Sequence, residues 1–282
     1  MMNHLAGLDH VVVLVRDLAA AADRWAALGF TISPRGTHSE HMGTGNHTIM
    51  LGPDYLELLG VLHPTPHNAP SRALLEEREG VERAAFRATD AAAAVADLKA
   101  RGIAALGPND FGRPVDMPDG AKSEARFKTF LWPVDQRPGG MRIFACQHLT
   151  PETVWIPELQ KHANTARRIA EIDLLADNPE ASAAFLAKLV DGTVEREADD
   201  VFRLRPGFGK GDIVILGRKA AEARFPASAL QGFKGEGALA LILEVGNLEA
   251  AAKAVGSKGI AEKGRVIVPC AEANGVVVQF VP

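Results

Sequence analysis

The sequence has few cysteines, no excess of positive charge and no long apolar stretch. Its two cysteines, Cys146 and Cys270, lie in different halves and cannot form the disulfide framework of a small secreted domain. A formal net charge of −4 provides no basic surface for a phosphate backbone, so we expect no nucleic-acid partner. No apolar run reaches the length of a membrane span, and the first residues show no secretion-signal pattern, so we expect a cytoplasmic protein without membrane contact.

Several common functional motifs are also missing. The sequence contains no GxSxG motif of a serine hydrolase. The glycine-rich run from Gly207 to Gly211 precedes an apolar strand pattern and lacks the Lys-Ser/Thr ending of a phosphate loop, so it predicts a hairpin turn. One tyrosine and three tryptophans are too few for an aromatic platform that stacks bases.

The sequence contains one pattern that occurs four times. Each copy has a short apolar run, an Asp or Asn at a turn and a helix rich in small residues, and further apolar runs follow it. The copies begin at His10, Arg83, Ala170 and Ala240, and their turn residues are Asp17, Asp90, Asp177 and Asn247. We therefore predict an α+β chain of four modules, each with a strand, a helix and three strands (βαβββ).

Local signals predict the limits of several elements. In the first copy, a helix capped by Asp17 is followed by strands at residues 30–33, 48–51 and 55–61, and in the second copy a strand is expected at residues 103–106. Between these copies, an inserted helix is predicted with Ser71 as its cap. The polar stretch at residues 151–168 interrupts the repeat, so we predict two domains, residues 1–160 and 161–282.

The order of elements, in paired copies, resembles the vicinal oxygen chelate superfamily. Three segments are similar to its glyoxalase-like branch, which consists mostly of bacterial proteins without an assigned reaction: LDHVVVLVRDL, HMGTGNHTIMLGPDYLELLG, and CQHLTPETVW followed by KHANTA. The resemblance implies two glyoxalase-like domains, each pairing two modules into a cup-shaped mixed sheet. It also implies a metal in the better equipped cups, bound by residues from the first and last strands of both modules.

Strand alternation places two candidate metal ligands on the cup face of the first module. On the first strand, His10 points to the face opposite the β-branched residues, which suit packing against the helix. On a later strand, Glu57 shares a face with Tyr55. A carboxylate in an apolar strand is costly unless a cation or donors meet it. The imidazole and carboxylate together suit Zn, Ni, Mn or Fe, and both positions match ligand positions of the family.

The matched positions in the other three copies hold different residues. They are Arg83 and Phe144 in the second copy, Ala170 and Val214 in the third, and Ala240 and Gln279 in the fourth. We therefore expect the C-terminal domain to be degenerate, without the ligands that an extradiol dioxygenase would need. Alternation from Phe144 through Cys146 makes His148 a candidate third donor in the N-terminal cup.

Four residues are candidate substrate contacts. His41 and Asn46 lie in a loop rich in donors near the expected cup mouth, whereas His38 and Glu40 of the same loop are expected in a solvated turn. Arg83 and Arg142 lie near two ligand positions. Two other interpretations of the His10 and Glu57 pair stay open: a mutual hydrogen bond, or pairing of Glu57 with one of these arginines.

These residues support two main hypotheses. In the first, the chain is a glyoxalase-like lyase or isomerase in which His10, Glu57 and His148 hold a divalent metal. Glu57 or a metal-bound water then moves a proton on a small carbonyl- or hydroxyl-bearing substrate. In the second, the chain is a metal-free protein that binds a small apolar or anionic ligand in the same cup, and Arg83 and Arg142 provide the contact to an anion. A third interpretation is that side chains fill both cups and the chain serves only for association with a partner. Formation of a homodimer also stays an open possibility.

Overall fold

Four βαβββ modules follow one another along the chain, as the repeat predicts. The computed structural model describes residues 4–117, 120–262 and 264–282. Each pair of modules forms one eight-stranded mixed sheet, which confirms the predicted α+β class and the pairing of modules. Within the part of the chain described, no helix is both long and apolar enough to cross a membrane.

The N-terminal sheet joins the first two modules through their first strands. The first module consists of β1 (Leu5–Val15), α1 (Leu18–Ala26), β2 (Gly36–Thr37), β3 (Thr44–Met50) and β4 (Tyr55–Val61). After the inserted helix α2 (Ala69–Glu77), the second consists of β5 (Gly80–Ala88), α3 (Ala91–Ala100), β6 (Leu106–Asp116), β7 (Lys122–Leu131) and β8 (Arg142–His148). The strand order is β2-β3-β4-β1-β5-β8-β7-β6, with β1 and β5 antiparallel at the centre.

The C-terminal sheet repeats this arrangement. Its third module consists of β9 (Ala166–Leu175), α4 (Pro179–Val190), β10 (Thr193–Ala198), β11 (Val201–Arg205) and β12 (Asp212–Leu216). Two inserted helices follow, α5 (Arg218–Arg224) and α6 (Ala227–Leu230). The fourth module consists of β13 (Gly237–Val245), α7 (Leu248–Val255), β14 (Ile260–Glu262), β15 (Arg265–Val268) and β16 (Val277–Val281). The strand order is β10-β11-β12-β9-β13-β16-β15-β14.

Three predicted element limits are wrong. Residues 30–33 do not form a strand, because the backbone N–H of Thr31 donates to the His162 ring, although the N–H of Ser33 donates to the Thr48 carbonyl of β3. In the second module, Ile103 closes the end of α3 through its N–H, and β6 begins only at Leu106. Helix α2 starts at Ala69, before the predicted cap Ser71.

The third module is offset by one residue from the sequence repeat. Asn178, not Asp177, caps α4 by accepting the N–H of Ala181. Glu171, not Ala170, pairs with the first residue of β12, as His10 pairs with the first residue of β4. The position matched to His10 is therefore Glu171, because an irregularity of the β9–β13 pairing at Ala170 adds one residue to β9.

One apolar core connects the two halves. The side of β1 that carries Val11 and Val13 packs in the same cluster as Trp25 of α1 and Phe280 of β16. The Trp25 indole N–H donates to Asn274 in the C-terminal half at 3.1 Å. The helices of both halves thus lie between the two sheets, and the cup faces lie on the far sides of this core. Because residues on both sides of the predicted boundary between residues 160 and 161 share this core, the division of the chain into two domains at that point stays a prediction.

Side chains of the α5–α6 insertion occupy part of the C-terminal cup. Ala221, Phe225 and Ala229, from the α5–α6 insertion, pack against the cup face of β12 and β13. Glu171 bonds Arg203 at 2.5 Å and also bonds Arg224 of α5, so this carboxylate is neutralised inside the cup. A cavity of about 510 Å³ remains beside α5 and α6.

Candidate functional site

The N-terminal cup contains a cavity of about 680 Å³ between its two modules. His10, Glu57 and Arg83 contribute polar atoms to its wall. The apolar part of the wall includes Val12, Leu59, Phe111, Phe127, Leu131 and Phe144. A cavity of this volume, lined by both apolar and polar side chains, lies in the size range of sites for small molecules.

The structure brings His10 and Glu57 together on the cup face. The Nε2 atom of His10 lies 3.7 Å from Oε2 of Glu57. The Tyr55 ring stacks on the His10 ring with centroids 4.2 Å apart, which restrains the imidazole. Asn46, a predicted substrate contact, donates its side-chain N–H to Oε1 of Glu57 at 2.7 Å. The Glu57 carboxylate is therefore held from one side by an amide and faces an imidazole with its other oxygen.

Asp9 is a site residue that the sequence pattern did not predict. Simple alternation would turn Asp9 towards the helices, away from His10. However, Leu8 is opposite Phe86 and His10 is opposite Ala85, so Asp9 is the extra residue of a β-bulge. A bulge can re-aim a side chain, and Asp9 bonds the His10 ring on the cup side. The signal in the sequence that could have indicated this role is an acidic residue directly before His10 in an otherwise apolar run.

Three N–H groups converge on the Asp9 carboxylate. Oδ2 accepts from Nδ1 of His10 and from Nε2 of His148, each at 2.8 Å, and Oδ1 accepts from Nε of Arg87 at 2.7 Å. Complete burial acts to raise the pKa of Asp9, but the charge of His148 and the hydrogen bonds from both histidines hold this pKa well below its usual range. Because Nδ1 of His10 donates to a carboxylate, Nε2 is the unprotonated nitrogen of the neutral ring.

His148 joins Asp9 and not Glu57. Its Nε2 atom is hydrogen-bonded to Asp9, its ring lies against Trp155 with centroids 4.7 Å apart, and it does not line the cavity. Asp9, His10 and His148 offer donor atoms within 4.8 Å of one another, which makes them a candidate metal group. The group also holds together without a metal, since Arg87 neutralises the carboxylate.

His38 is buried in the cup, and its assignment to a solvated turn is wrong. The pairing of β2 with β3 carries this residue inwards, and its side chain is only 7% exposed. Nδ1 of His38 lies 2.8 Å from the Thr44 hydroxyl, and Nε2 lies 3.8 Å from Oε1 of Glu57. Burial lowers the pKa of His38; Glu57 opposes this shift, and Arg113 and Arg83 add to it. The shift favours the neutral imidazole of His38.

The two arginines predicted to contact an anion both bond to Glu82. Arg83 donates to Oε2 of Glu82 through Nε and Nη2, and Arg142 donates to Oε1 at 2.7 Å. Burial acts to raise the pKa of Glu82, but the two guanidinium groups hold it below its usual value. Arg83 lines the cavity, and Arg142 does not. His41 lies at the cavity wall beside His67, with ring centroids 5.8 Å apart.

Comparisons with known proteins point to one family. A family model described as a glyoxalase-like domain matches residues 8–190. No curated protein matches the chain significantly. A hypothetical protein from Staphylococcus aureus is similar in structure, with a TM-score of 0.69 and 11% identity over 98% of each chain.

Two further solved structures share the fold. A mutant of 4-hydroxymandelate synthase from Streptomyces coelicolor matches with a TM-score of 0.62 and 12% identity over 99% of this chain and 92% of that one. A xylose isomerase-like TIM barrel/4-hydroxyphenylpyruvate dioxygenase fusion protein matches with a TM-score of 0.61 and 15% identity over 98% of this chain and 48% of that one. At such identities the similarity concerns the fold alone.

Proposed function

Because the chain belongs to the glyoxalase-like domain family of the vicinal oxygen chelate superfamily, we propose that its N-terminal cup is the active site of a metal-dependent lyase or isomerase. Its substrate is a small molecule that bears a carbonyl or hydroxyl oxygen. The observation that carries this proposal is the approach of Nε2 of His10 to within 3.7 Å of Glu57 at the wall of the cavity.

The donor atoms fit a divalent metal such as Zn, Ni, Mn or Fe. His10 presents an unprotonated nitrogen and Glu57 an anionic oxygen, which is the mixed donor set that these ions accept. The second ring nitrogen of His10 donates to Asp9, and metal-bound histidines commonly have such a carboxylate partner. When bound, the metal would supply Lewis acidity to a substrate oxygen.

The residues around the pair suit proton transfer. Asn46 restrains Oε1 of Glu57, so the carboxylate keeps its orientation while Oε2 faces the cup. In the proposed reaction, Glu57 accepts a proton from the carbon beside the substrate's carbonyl or hydroxyl group and returns it to another atom of the substrate. Phe111, Phe127 and Phe144 line the same cavity and make this part of its wall apolar.

The experiment is elemental analysis of freshly purified protein, followed by calorimetric titration with Zn²⁺, Ni²⁺, Mn²⁺ and Fe²⁺. We expect a stoichiometric divalent metal in the wild-type chain and a loss of affinity in His10→Ala and Glu57→Gln. His47→Gln is the matched control, because His47 lies on β3 outside the cavity and bonds the Ser33 carbonyl. A wild-type chain that binds none of the four ions, or a His10→Ala variant with unchanged affinity, contradicts the proposal.

A second candidate function is metal-free binding of a small anion in the same cavity. Arg113 lines this cavity and forms no ion pair with any residue in the described ranges, and Arg83 lies on the same wall. Benzoate is a suitable probe, because it pairs a carboxylate with an apolar ring. If this function is correct, benzoate binding survives exhaustive chelation and is weakened in both Arg113→Ala and Arg83→Ala.

A further inference from the structure

His10 and Glu57 receive no third metal donor from the positions matched by the repeat. Arg83 and Phe144 occupy the two matched positions of the second module, and neither side chain offers a lone pair that suits a metal. His148, the predicted third donor, has its Nε2 atom bonded to Asp9. Cys146 of the same strand lines the cavity, but burial raises the pKa of its thiol well above the usual value and so disfavours the thiolate that binds a metal. We therefore expect a third donor from another element.

His38 meets this requirement by its position across Glu57 from His10. Its Nε2 atom lies 3.8 Å from Oε1, and that of His10 lies 3.7 Å from Oε2. Both separations are too long for hydrogen bonds. Coordination bonds of about 2.1 Å at angles of roughly 90–120° separate two donor atoms by about 3.0–3.6 Å, so each imidazole is close to the distance at which it could share an ion with Glu57. The donor atoms of the three residues are not all within 4.8 Å of one another, so binding one ion requires the two imidazoles to move closer together.

Both imidazoles are oriented by a partner on the other ring nitrogen. Nδ1 of His10 lies 2.8 Å from Asp9, and Nδ1 of His38 lies 2.8 Å from the Thr44 hydroxyl. These contacts leave each Nε2 atom directed at the carboxylate of Glu57. Partners that fix ring orientation in this way are typical around metal-bound histidines.

The environment of the Glu57 carboxylate also favours a nearby cation. Its side chain is 11% exposed, and its one hydrogen bond within the described ranges comes from the neutral amide of Asn46. A buried carboxylate with a single neutral donor is costly unless a cation compensates it. Arg83, the nearest candidate among the predicted residues, is bonded to Glu82 instead.

From these observations, and resting on the proposed function, we propose that His38 is the third protein ligand of the metal, together with His10 and Glu57. Two imidazoles and one carboxylate form a three-donor set that leaves coordination positions open to a substrate oxygen. His148 then acts as a positioning residue, which holds Asp9 while Asp9 holds His10.

The test is calorimetric titration of the full chain with Zn²⁺ and Mn²⁺, together with the absorption spectrum of bound Co²⁺. Loss of an outer partner typically weakens metal affinity about 10–100-fold, so loss of a direct ligand in His38→Ala should weaken it by more than about 100-fold. We expect the Co²⁺ spectrum to change with the lost nitrogen donor. His148→Ala should weaken affinity by no more than about 100-fold and keep the spectrum, and His47→Gln should change neither.

Two comparisons keep the outcome decisive. His38→Asn retains a group that can bond Thr44 but removes Nε2, so it replaces His38→Ala if the alanine variant fails to fold. Wild-type binding that is unchanged in the folded His38 variant overturns the ligand assignment and leaves the proposed function intact. Stronger loss in His148→Ala than in His38→Ala also overturns the assignment. A wild-type chain that binds no divalent metal removes both proposals.

Discussion

Replacing Asp9 by asparagine should destabilise the protein and weaken its metal binding together. The Asp9 carboxylate accepts N–H groups from His10, His148 and Arg87. An asparagine side chain has one acceptor oxygen and an NH₂ group, so at least one of these donors must face another donor. Because Asp9 is completely buried, water cannot take over the lost hydrogen bond.

The size of the effect follows from the groups left behind. A buried donor without a partner costs about 1–3 kcal/mol, and breaking a buried ion pair costs about 3–5 kcal/mol. The Arg87 side chain is 32% exposed, so its charge retains some hydration and the upper value does not apply. We expect the free energy of unfolding to fall by about 3 kcal/mol, which lowers the ratio of folded to unfolded protein by on the order of 100-fold.

The loss should also depend on pH. The pKa of Asp9 in the folded protein lies below its ordinary value of 3.8. Its stabilising contribution is therefore fully present above that value and is lost as the pH falls towards the lower pKa of the folded state. The difference between the wild-type chain and Asp9→Asn should shrink in acid for this reason.

Urea denaturation followed by tryptophan fluorescence measures the stability change, and calorimetric titration with Zn²⁺ measures the metal affinity. We expect affinity to fall about 10–100-fold, as for other partners of metal-bound histidines. Asp17→Asn is the matched control, because Asp17 is exposed and asparagine caps a helix as well as aspartate does. If Asp9→Asn unfolds within about 0.5 kcal/mol of the wild-type chain and binds metal equally well, the argument for Asp9 is refuted.

Two further predictions concern contacts between the halves. Burial raises the pKa of Asp54 to about 7, although the N–H that Ile169 donates to this carboxyl acts to lower it. The free energy of unfolding should therefore fall by up to roughly 4 kcal/mol as the pH rises from about 4 to 7. Asp54→Asn should remove this slope in thermal unfolding at pH 5 and pH 8, and equal slopes would contradict the burial argument. Trp25→Phe removes the N–H that Asn274 accepts and creates a void, so it should lower the free energy of unfolding by about 2–4 kcal/mol. Both halves should still unfold in one cooperative transition. An unchanged urea midpoint would show that this contact does not couple the halves.

Much of the fold was predictable because its signals are local. The apolar runs, the helix caps at Asp17 and Asp90 and the spacing of the copies specify modules from neighbouring residues alone. Alternation likewise predicts the face on which His10 and Glu57 each lie, whereas their approach to one another depends on the parallel pairing of β1 with β4, which the family resemblance implied. Their catalytic and metal-binding roles stay predictions.

The rest of the site depended on long-range pairing. Asp9 turns to His10 only because β1 gains a bulge against β5, and His38 reaches Glu57 only when β2 joins β3. The one-residue offset that puts Glu171 in the matched position likewise comes from the pairing of β9 with β13.

By itself, therefore, the sequence determined the four modules and the face of each regular strand, because periodicity is a property of adjacent residues. Only the tertiary structure decided which polar groups meet in the N-terminal cup and that α5 and α6 pack against the cup face of the C-terminal sheet. Bulges, strand closure and inserted helices arise from contacts between segments distant in the chain, and periodicity carries no information about them.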